Sequence, residues 1–423
     1  MSRRIKEETN TMSTTPSDLP AAEGGQPILK DTPPKLARWG EAELSNLSSM
    51  VEQSSLFYWN GPQTEALLEA FRKHYPLKYC APCSSGTAAL HMAVSSLEIA
   101  PGDEVIMGPI TDMGSMIGVL YQQGVPVFAD LEPHTYNVDP ADVRRKITDK
   151  TRAIMPIHLA GNPCRMDELM AIAKEHDLAV IEDCAQTWGA LSQGRPVGTI
   201  GTLGCYSFND FKHVSCGDGG MVATNDEKIG PSLQKWGDKN YDRVSGDRMP
   251  STLAPNYRIS EPESAVAAAQ LGKLKHICDR RHAVGTLITQ GINDAPGVIA
   301  PEVVDGDWAT YWFYMMRIEP DRLKVDRETF VAALKAEGLN ANSGYIPAPV
   351  YKYPVFANHA FFGGGWPIQE FGLTNMDYTK VSCPVAEEIL DTCLIIPVNE
   401  AMSDEYGEKC GQAIRRVAEY YAR

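Results

Sequence analysis

Between residue 78 and about residue 274, short apolar runs alternate with segments of helical periodicity, the pattern of βα units on a mainly parallel sheet. The spacing predicts strands over residues 104–108, 126–129, 153–158, 179–183, 204–208 and 220–224. Each run is continuous rather than alternating, as expected of strands covered on both faces. Helices are predicted over 41–51, 63–74, 88–97, 140–147 (capped by Asp139), 167–176 and 262–275. In the helix 167–176, Leu169, Ile172 and Ala173 share one face. The helix 262–275 is alanine-rich on one side, which suits close packing against a neighbour.

Past residue 280 the pattern changes. An aromatic β-like run covers 308–318, an amphipathic helix 327–337 and a terminal helix 413–421. The predicted division is a tail over 1–25, a large unit over 26–280 and a small C-terminal α+β domain over 281–423. The tail is rich in Ser, Thr, Pro, Glu and Gly, a composition that cannot offset its ordering entropy. The stretch 345–379 combines aromatics, proline and Gly363-Gly364-Gly365, and reads either as a lid over a substrate or as surface packing.

With 423 residues and 43% hydrophobic content, the chain can bury a large core in two domains. A net charge of −15, with no basic block, excludes a nucleic-acid surface. No stretch approaches the roughly 18 apolar residues of a membrane span, so a soluble, cytoplasmic protein is expected. The ten cysteines are scattered through predicted elements, and Cys80-Ala81-Pro82-Cys83 is a lone CxxC without a second pair. No metal site is expected, and the thiols read as reduced.

Candidate chemistry centres on Ser207-Phe208-Asn209-Asp210-Phe211-Lys212-His213-Val214-Ser215-Cys216-Gly217-Asp218-Gly219-Gly220. A lysine lies there between two predicted strands, beside glycines that let backbone approach a ligand. Upstream, the apolar run ending in Glu182-Asp183 delivers a carboxylate at a strand's C-terminal end, where α/β sheets bind ligands. Ser84-Ser85-Gly86-Thr87 precedes a helix and offers hydroxyls and free amides suited to a phosphate. A phosphate cup, a strand-end carboxylate and a lysine are the parts that pyridoxal phosphate chemistry requires.

These motifs, with Gly102-Asp103-Glu104-Val105, Val127-Phe128-Ala129-Asp130, the run Glu182–Ala190 and Asn256-Tyr257-Arg258-Ile259-Ser260-Glu261, follow one another in a fixed order. In that order the chain resembles the DegT/StrS-type sugar aminotransferases from about residue 26 to its C-terminus. The resemblance implies an α/β fold of the aspartate aminotransferase type and a bound pyridoxal 5'-phosphate. It implies that Lys212 is the Schiff-base lysine and that Asp183 pairs with the cofactor's pyridine nitrogen. Gln186 would contact the ring or its phenolic oxygen, and Gly86, Thr87, Ala88 and Ser207 the phosphate. Asn256 would reach the phosphate of a partner subunit's cofactor, making the enzyme a homodimer with shared sites; Arg258 binds a substrate anion or fixes its loop.

Two features depart from the family pattern. Gly217-Asp218-Gly219-Gly220 stands for its GEGG, and Asp112 stands where the family places a ring-stacking aromatic. Either Met113 covers that face or the loop takes another path. A dehydrating branch of the family carries histidine at the lysine position, but the register from Ser207 and Gly217 gives that position to Lys212 and not His213. His158 reads as a satisfied strand-end histidine. The expected function is conversion of a keto sugar, nucleotide-linked or cyclitol, to an amino sugar with glutamate or glutamine as donor. A lyase, dehydratase or aromatising enzyme on the same scaffold, or a non-catalytic cofactor-binding homologue, remains the alternative.

Overall fold

The computed structural model of the chain describes residues 19–30 and 34–423. In chain order its strands begin with β1 (Tyr79–Cys83), β2 (Glu104–Met107), β3 (Val125–Phe128), β4 (Thr151–Met155) and β5 (Ala179–Asp183). A hairpin of β6 (Leu191–Ser192) and β7 (Arg195–Pro196) precedes β8 (Leu203–Ser207) and β9 (Gly220–Thr224). Leaving out that hairpin, they form a seven-stranded sheet in the order β1-β9-β8-β5-β4-β2-β3. Neighbours from β3 through β8 pair in parallel, and β9 runs antiparallel to both β8 and β1. Every residue of β3, β8 and β9 is buried, as their unbroken apolar text requires.

Helices cover both faces. The first of them are α1 (Glu41–Ser49), α2 (Pro62–His74), α3 (Gly86–Ser96) and α4 (Gly114–Tyr121). All residues of α3 except Thr87 are buried, which explains a helix that is apolar nearly all round. The predicted helix 262–275 is two helices, Glu261–Leu271 and Leu274–Ile292, the first opened by a Ser260–Glu263 capping box. The break falls at Gly272 and Lys273, and the second helix then runs unbroken past residue 280.

A second, four-stranded antiparallel sheet follows, with β10 (Val298–Ile299), β11 (Phe313–Ile318), β12 (Asn342–Ser343) and β13 (Cys393–Pro397) in the order β10-β11-β13-β12. Alternation along β11 ties the two halves together. Phe313 and Met315 pack into the core of the large sheet, whereas Tyr314, Met316 and Ile318 enter the C-terminal core with the helix Asp404–Tyr421. Past Tyr345, whose hydroxyl meets Gln186 at 3.1 Å, the stretch 345–379 packs against the large sheet. Phe356, Trp366 and Tyr378 are buried, with Phe356 and Tyr378 set against Phe128 of β3 at ring distances of 5.7 and 5.9 Å.

Of the expected tail, residues 1–18 lie outside the described residues. Ala21–Glu23 forms a 3-10 turn, because the carboxylate of Glu337 accepts the amides of Ala21 and Ile28 at 2.8 and 3.0 Å. Among the described residues no helix is long and apolar enough to cross a membrane.

Candidate active site

The C-terminal ends of the parallel strands open into a cavity of about 900 Å³. Asp183 is the last residue of β5 and Ser207 the last of β8, so the sheet itself delivers both side chains. Lys212 follows on a turn closed by the Asn209–Gly217 bridge, in which Gly217 has φ +93°. Gly86, Thr87, Asp183, Gln186, Ser207 and Lys212 all line this one cavity.

The head of α3 forms a cup. The hydroxyl oxygen of Ser85 accepts the Ala88 amide (3.0 Å), and the Ser85 carbonyl accepts that of Ala89 (3.0 Å). The amides of Gly86 and Thr87 have no protein partner among the described residues. Ser207 lies directly opposite: a Cβ on Gly86 would come within 2.7 Å of the Ser207 Cβ, so only glycine keeps this approach open. Ala88 is set apart from the other expected residues, since its amide is held by Ser85 and it does not line the cavity.

Asp183 is buried, and its oxygens accept the Ser115 hydroxyl (2.8 Å) and the Ala185 amide (3.1 Å). Burial nonetheless outweighs these donors and holds its carboxyl above the usual carboxylate range. Lys212 shows the complementary effect. Burial pushes its amine down to about 8, opposed by the charges of Asp183 and Asp112. Its Nζ lies 3.6 Å from the centre of the Trp312 ring. Gln186 is held at both ends of its amide, accepting the Ala160 N–H (3.0 Å) and donating to the Tyr345 hydroxyl (3.1 Å).

Asn256 is exposed and lies outside this cavity; its Oδ1 accepts the Arg258 Nε at 2.7 Å. Arg258 also faces the buried Asp238 at 3.6 Å, so it braces this loop. His213 turns away from the cavity. Its Nε2 donates to the Thr310 carbonyl (3.1 Å), and burial among Arg281, Lys212 and Arg38 holds its titration far below the ordinary range. His158, Glu182 and Cys184 form a buried trio whose ligand atoms lie within 4.8 Å of one another. Cys164 donates its amide to His158 Nδ1, so Nε2 carries the proton toward Glu182 at 3.2 Å. Glu182 also accepts the amides of Gly198, Ile200 and Gly201, which makes it a structural hub of the loop after β7.

Several lining residues were not assigned to the site from the sequence, although Trp312 and Tyr345 lie in the two aromatic stretches it singles out. Ser115 sits one turn after Thr111, whose hydroxyl is 2.8 Å from its own. Arg38 comes from the segment before α1 and donates to the carbonyls of Asp210 and Lys212, the latter at 2.9 Å. Arg281, paired with Glu400 at 3.0 Å, and the aromatics Trp312 and Tyr345 arrive from the C-terminal third. Met113 does not cover the cavity: it packs into the core, and Asp112 faces the cavity in its place.

The residues present fit pyridoxal phosphate. Open amides and a glycine-cleared cup suit a phosphate, a buried carboxylate suits a protonated ring nitrogen, and an amine of lowered pKa suits a carbonyl. With this sheet order, they define a pyridoxal phosphate-dependent aminotransferase of the aspartate aminotransferase fold. Residues 39–415 match the model of the DegT/DnrJ/EryC1/StrS aminotransferase family, and the chain belongs to that family. Among its relatives is the UDP-N-acetyl-3-dehydro-alpha-D-glucosamine 3-aminotransferase of Acidithiobacillus ferrooxidans, 32% identical over 79% of this chain and 83% of the relative. GDP-perosamine synthase of Caulobacter vibrioides is 32% identical over 69% of this chain and 78% of the relative. An aminotransferase structure from Psychrobacter cryohalolentis superposes with a TM-score of 0.81 at 27% identity, over 92% of this chain and 99% of that one.

Proposed function

We propose that this aminotransferase moves an amino group from glutamate or glutamine to the ketone of a sugar or cyclitol, in a homodimer whose sites are shared. The observation that carries the reading is the placing of Lys212 and Asp183 in one cavity with the Gly86–Thr87 cup, where burial lowers the pKa of the lysine toward neutrality. The names of the two relatives, both acting on nucleotide-linked sugars, support the substrate class.

When bound, the cofactor supplies an aldehyde that takes up the amine and a ring that delocalises the electrons left on deprotonation. Lys212 would hold that aldehyde and, as the free amine, would carry a proton to and from the substrate carbon through Nζ. An amine that titrates near 8 is partly neutral at physiological pH, and so is competent in both roles. Asp183 would pair with the ring nitrogen and keep it protonated, and Ser115 and Ala185 fix the direction of the carboxylate. Gly86, Thr87 and Ser207 hold the phosphate, with Ala88 supporting the helix turn, and Gln186 orients the ring. Asn256, exposed on its own chain, reaches the partner's phosphate.

Elimination chemistry with a histidine base is disfavoured, because His213 is buried and its N–H is held by Thr310. The test is to add glutamate or glutamine to the cofactor-loaded protein and follow the cofactor's absorption band. Conversion to the aminated cofactor is the expected outcome; an unchanged band with both donors refutes the reading.

A further inference from the structure

The turn that carries Lys212 is held at each carbonyl from Asn209 to Lys212. The Asn209 carbonyl accepts the Lys212 amide (2.9 Å), which closes the turn from within. The next three are met from outside. Arg38 donates through Nη1 to the Asp210 carbonyl and through Nη2 to that of Lys212 (2.9 Å). Between them the Trp312 indole donates to the Phe211 carbonyl (2.6 Å). One guanidinium therefore straddles the turn and fixes the backbone from which the lysine side chain springs.

Arg38 is itself fixed from behind. Its carbonyl accepts the Lys273 ammonium (2.8 Å) and the Gln270 side-chain amide (3.0 Å). Both donors also reach one oxygen of the buried Glu43, at 2.6 and 2.8 Å, and the other oxygen accepts the Gly40 amide (2.8 Å). The helix break at Gly272 and Lys273 thus falls where the segment before α1 is anchored. The other arginine of the cavity, Arg281, does not touch the turn: it donates to Glu400 and to the Trp312 carbonyl.

A lysine side chain is a long flexible stem, so its amine meets an aldehyde at high effective concentration only where its backbone is held still. A guanidinium presents its N–H groups in a rigid fork and can hold two carbonyls in one geometry. We propose that Arg38 is a positioning residue of this site, acting on the reacting amine through the backbone of Asp210 and Lys212. The proposal rests on the reading of Lys212 as the residue that takes up the cofactor's aldehyde.

Two forms of the cofactor separate that role from a merely structural one. Pyridoxal 5'-phosphate joins Lys212 by a C=N bond with release of water, whereas pyridoxamine 5'-phosphate shares its ring and phosphate but has no aldehyde to join. Both are titrated into the apoprotein, and the ratio of their affinities is compared between variants. In Arg38→Ala the ratio is expected to fall by about tenfold to a hundredfold through loss of aldehyde affinity alone, the scale of a lost hydrogen bond to a charged group or a misplaced reacting group. Arg38→Gln keeps one N–H donor group but neither the charge nor the fork, so its ratio should fall by less. If Arg38→Ala does not fold, as melting of the apoprotein would show, the glutamine variant decides. An unchanged ratio in the deciding variant overturns the proposal. An equal loss of both forms also overturns it, because Arg38 then shapes the cavity or ties down its own segment. Failure of the aminotransferase reading shows elsewhere, as a cofactor band unmoved by glutamate and glutamine, and leaves the ratio to decide the role of Arg38.

Discussion

The Lys212 amine and the Trp312 indole form a cation–π pair, with Nζ 3.6 Å from the ring centre. The two residues come from different parts of the fold, the turn after β8 and the residue preceding β11. A second contact locks the indole, whose Nε1 donates to the Phe211 carbonyl at 2.6 Å. Burial lowers the Lys212 pKa, and an indole face at this distance favours the ammonium, so Trp312 is expected to oppose the fall.

Trp312→Leu keeps an apolar neighbour but removes the ring. The cation–π term is worth about 0.5–2 kcal/mol, so the Lys212 midpoint is expected to drop below its present value by about 0.4–1.5 pH units. The pH dependence of reductive methylation of Lys212 in the apoprotein, read by peptide mapping, measures it. A midpoint that stays put or rises shows that the ring does not stabilise the ammonium.

Lys212→Ala is expected to abolish covalent attachment of the cofactor while the fold persists, because no other lysine among the described residues lines the cavity. Borohydride treatment followed by mass spectrometry reads this directly. Cofactor fixed to the variant would place the attachment on a different lysine.

Asp183→Asn should still bind cofactor but lose turnover by roughly a hundredfold to a thousandfold, as when a preorganised electrostatic contact is removed. The same substitution makes an opposite prediction for the apoprotein's stability. A raised carboxyl pKa means that the folded state holds the proton more tightly than the unfolded chain. Ionisation therefore costs stability, absent below the ordinary value of 3.8 and growing as pH rises through the raised one. Apo Asp183→Asn should melt above the wild type at neutral pH, with the difference closing toward pH 3.8. Equal melting temperatures at neutral pH would mean that Asp183 carries no such cost.

The shared site is tested by mixing two inactive variants, Lys212→Ala and Asn256→Asp, under conditions that exchange subunits. If Asn256 serves the partner's site, one site of the mixed dimer carries both lesions and the other neither, so activity returns. If Asn256 serves its own chain, every site stays damaged and the mixture remains inactive.

The stretch 345–379 and the helix 262–275 show where a linear reading reaches its limit. An aromatic, proline-rich segment is compatible with a lid or with packing, and only the structure shows Phe356 and Tyr378 buried against Phe128 while Tyr345 turns to Gln186. Likewise, alanine-rich helical text continues through Gly272, but the chain breaks there and starts a new helix. Periodicity records which residues are apolar, not which surface receives them.

By itself the sequence determined the parallel β/α core, the end of β5 (that of β8 falls one residue earlier than read), and the Ser85-Gly86-Thr87 cup, because each depends on short-range chemistry: apolar runs, a capping serine, glycines in a turn. Asp183 and Lys212 were legible for the same reason, each next to the strand end or turn that positions it. Tertiary structure alone decided what surrounds them. Ser115 meets Asp183 only once β2 and β5 have joined one sheet, and Trp312 reaches Lys212 only because the turn before β11 docks on the Leu159–Gly161 loop. Arg38 and Tyr345 come from opposite ends of the chain. Contacts of that kind depend on packing between distant segments, and no local pattern encodes them.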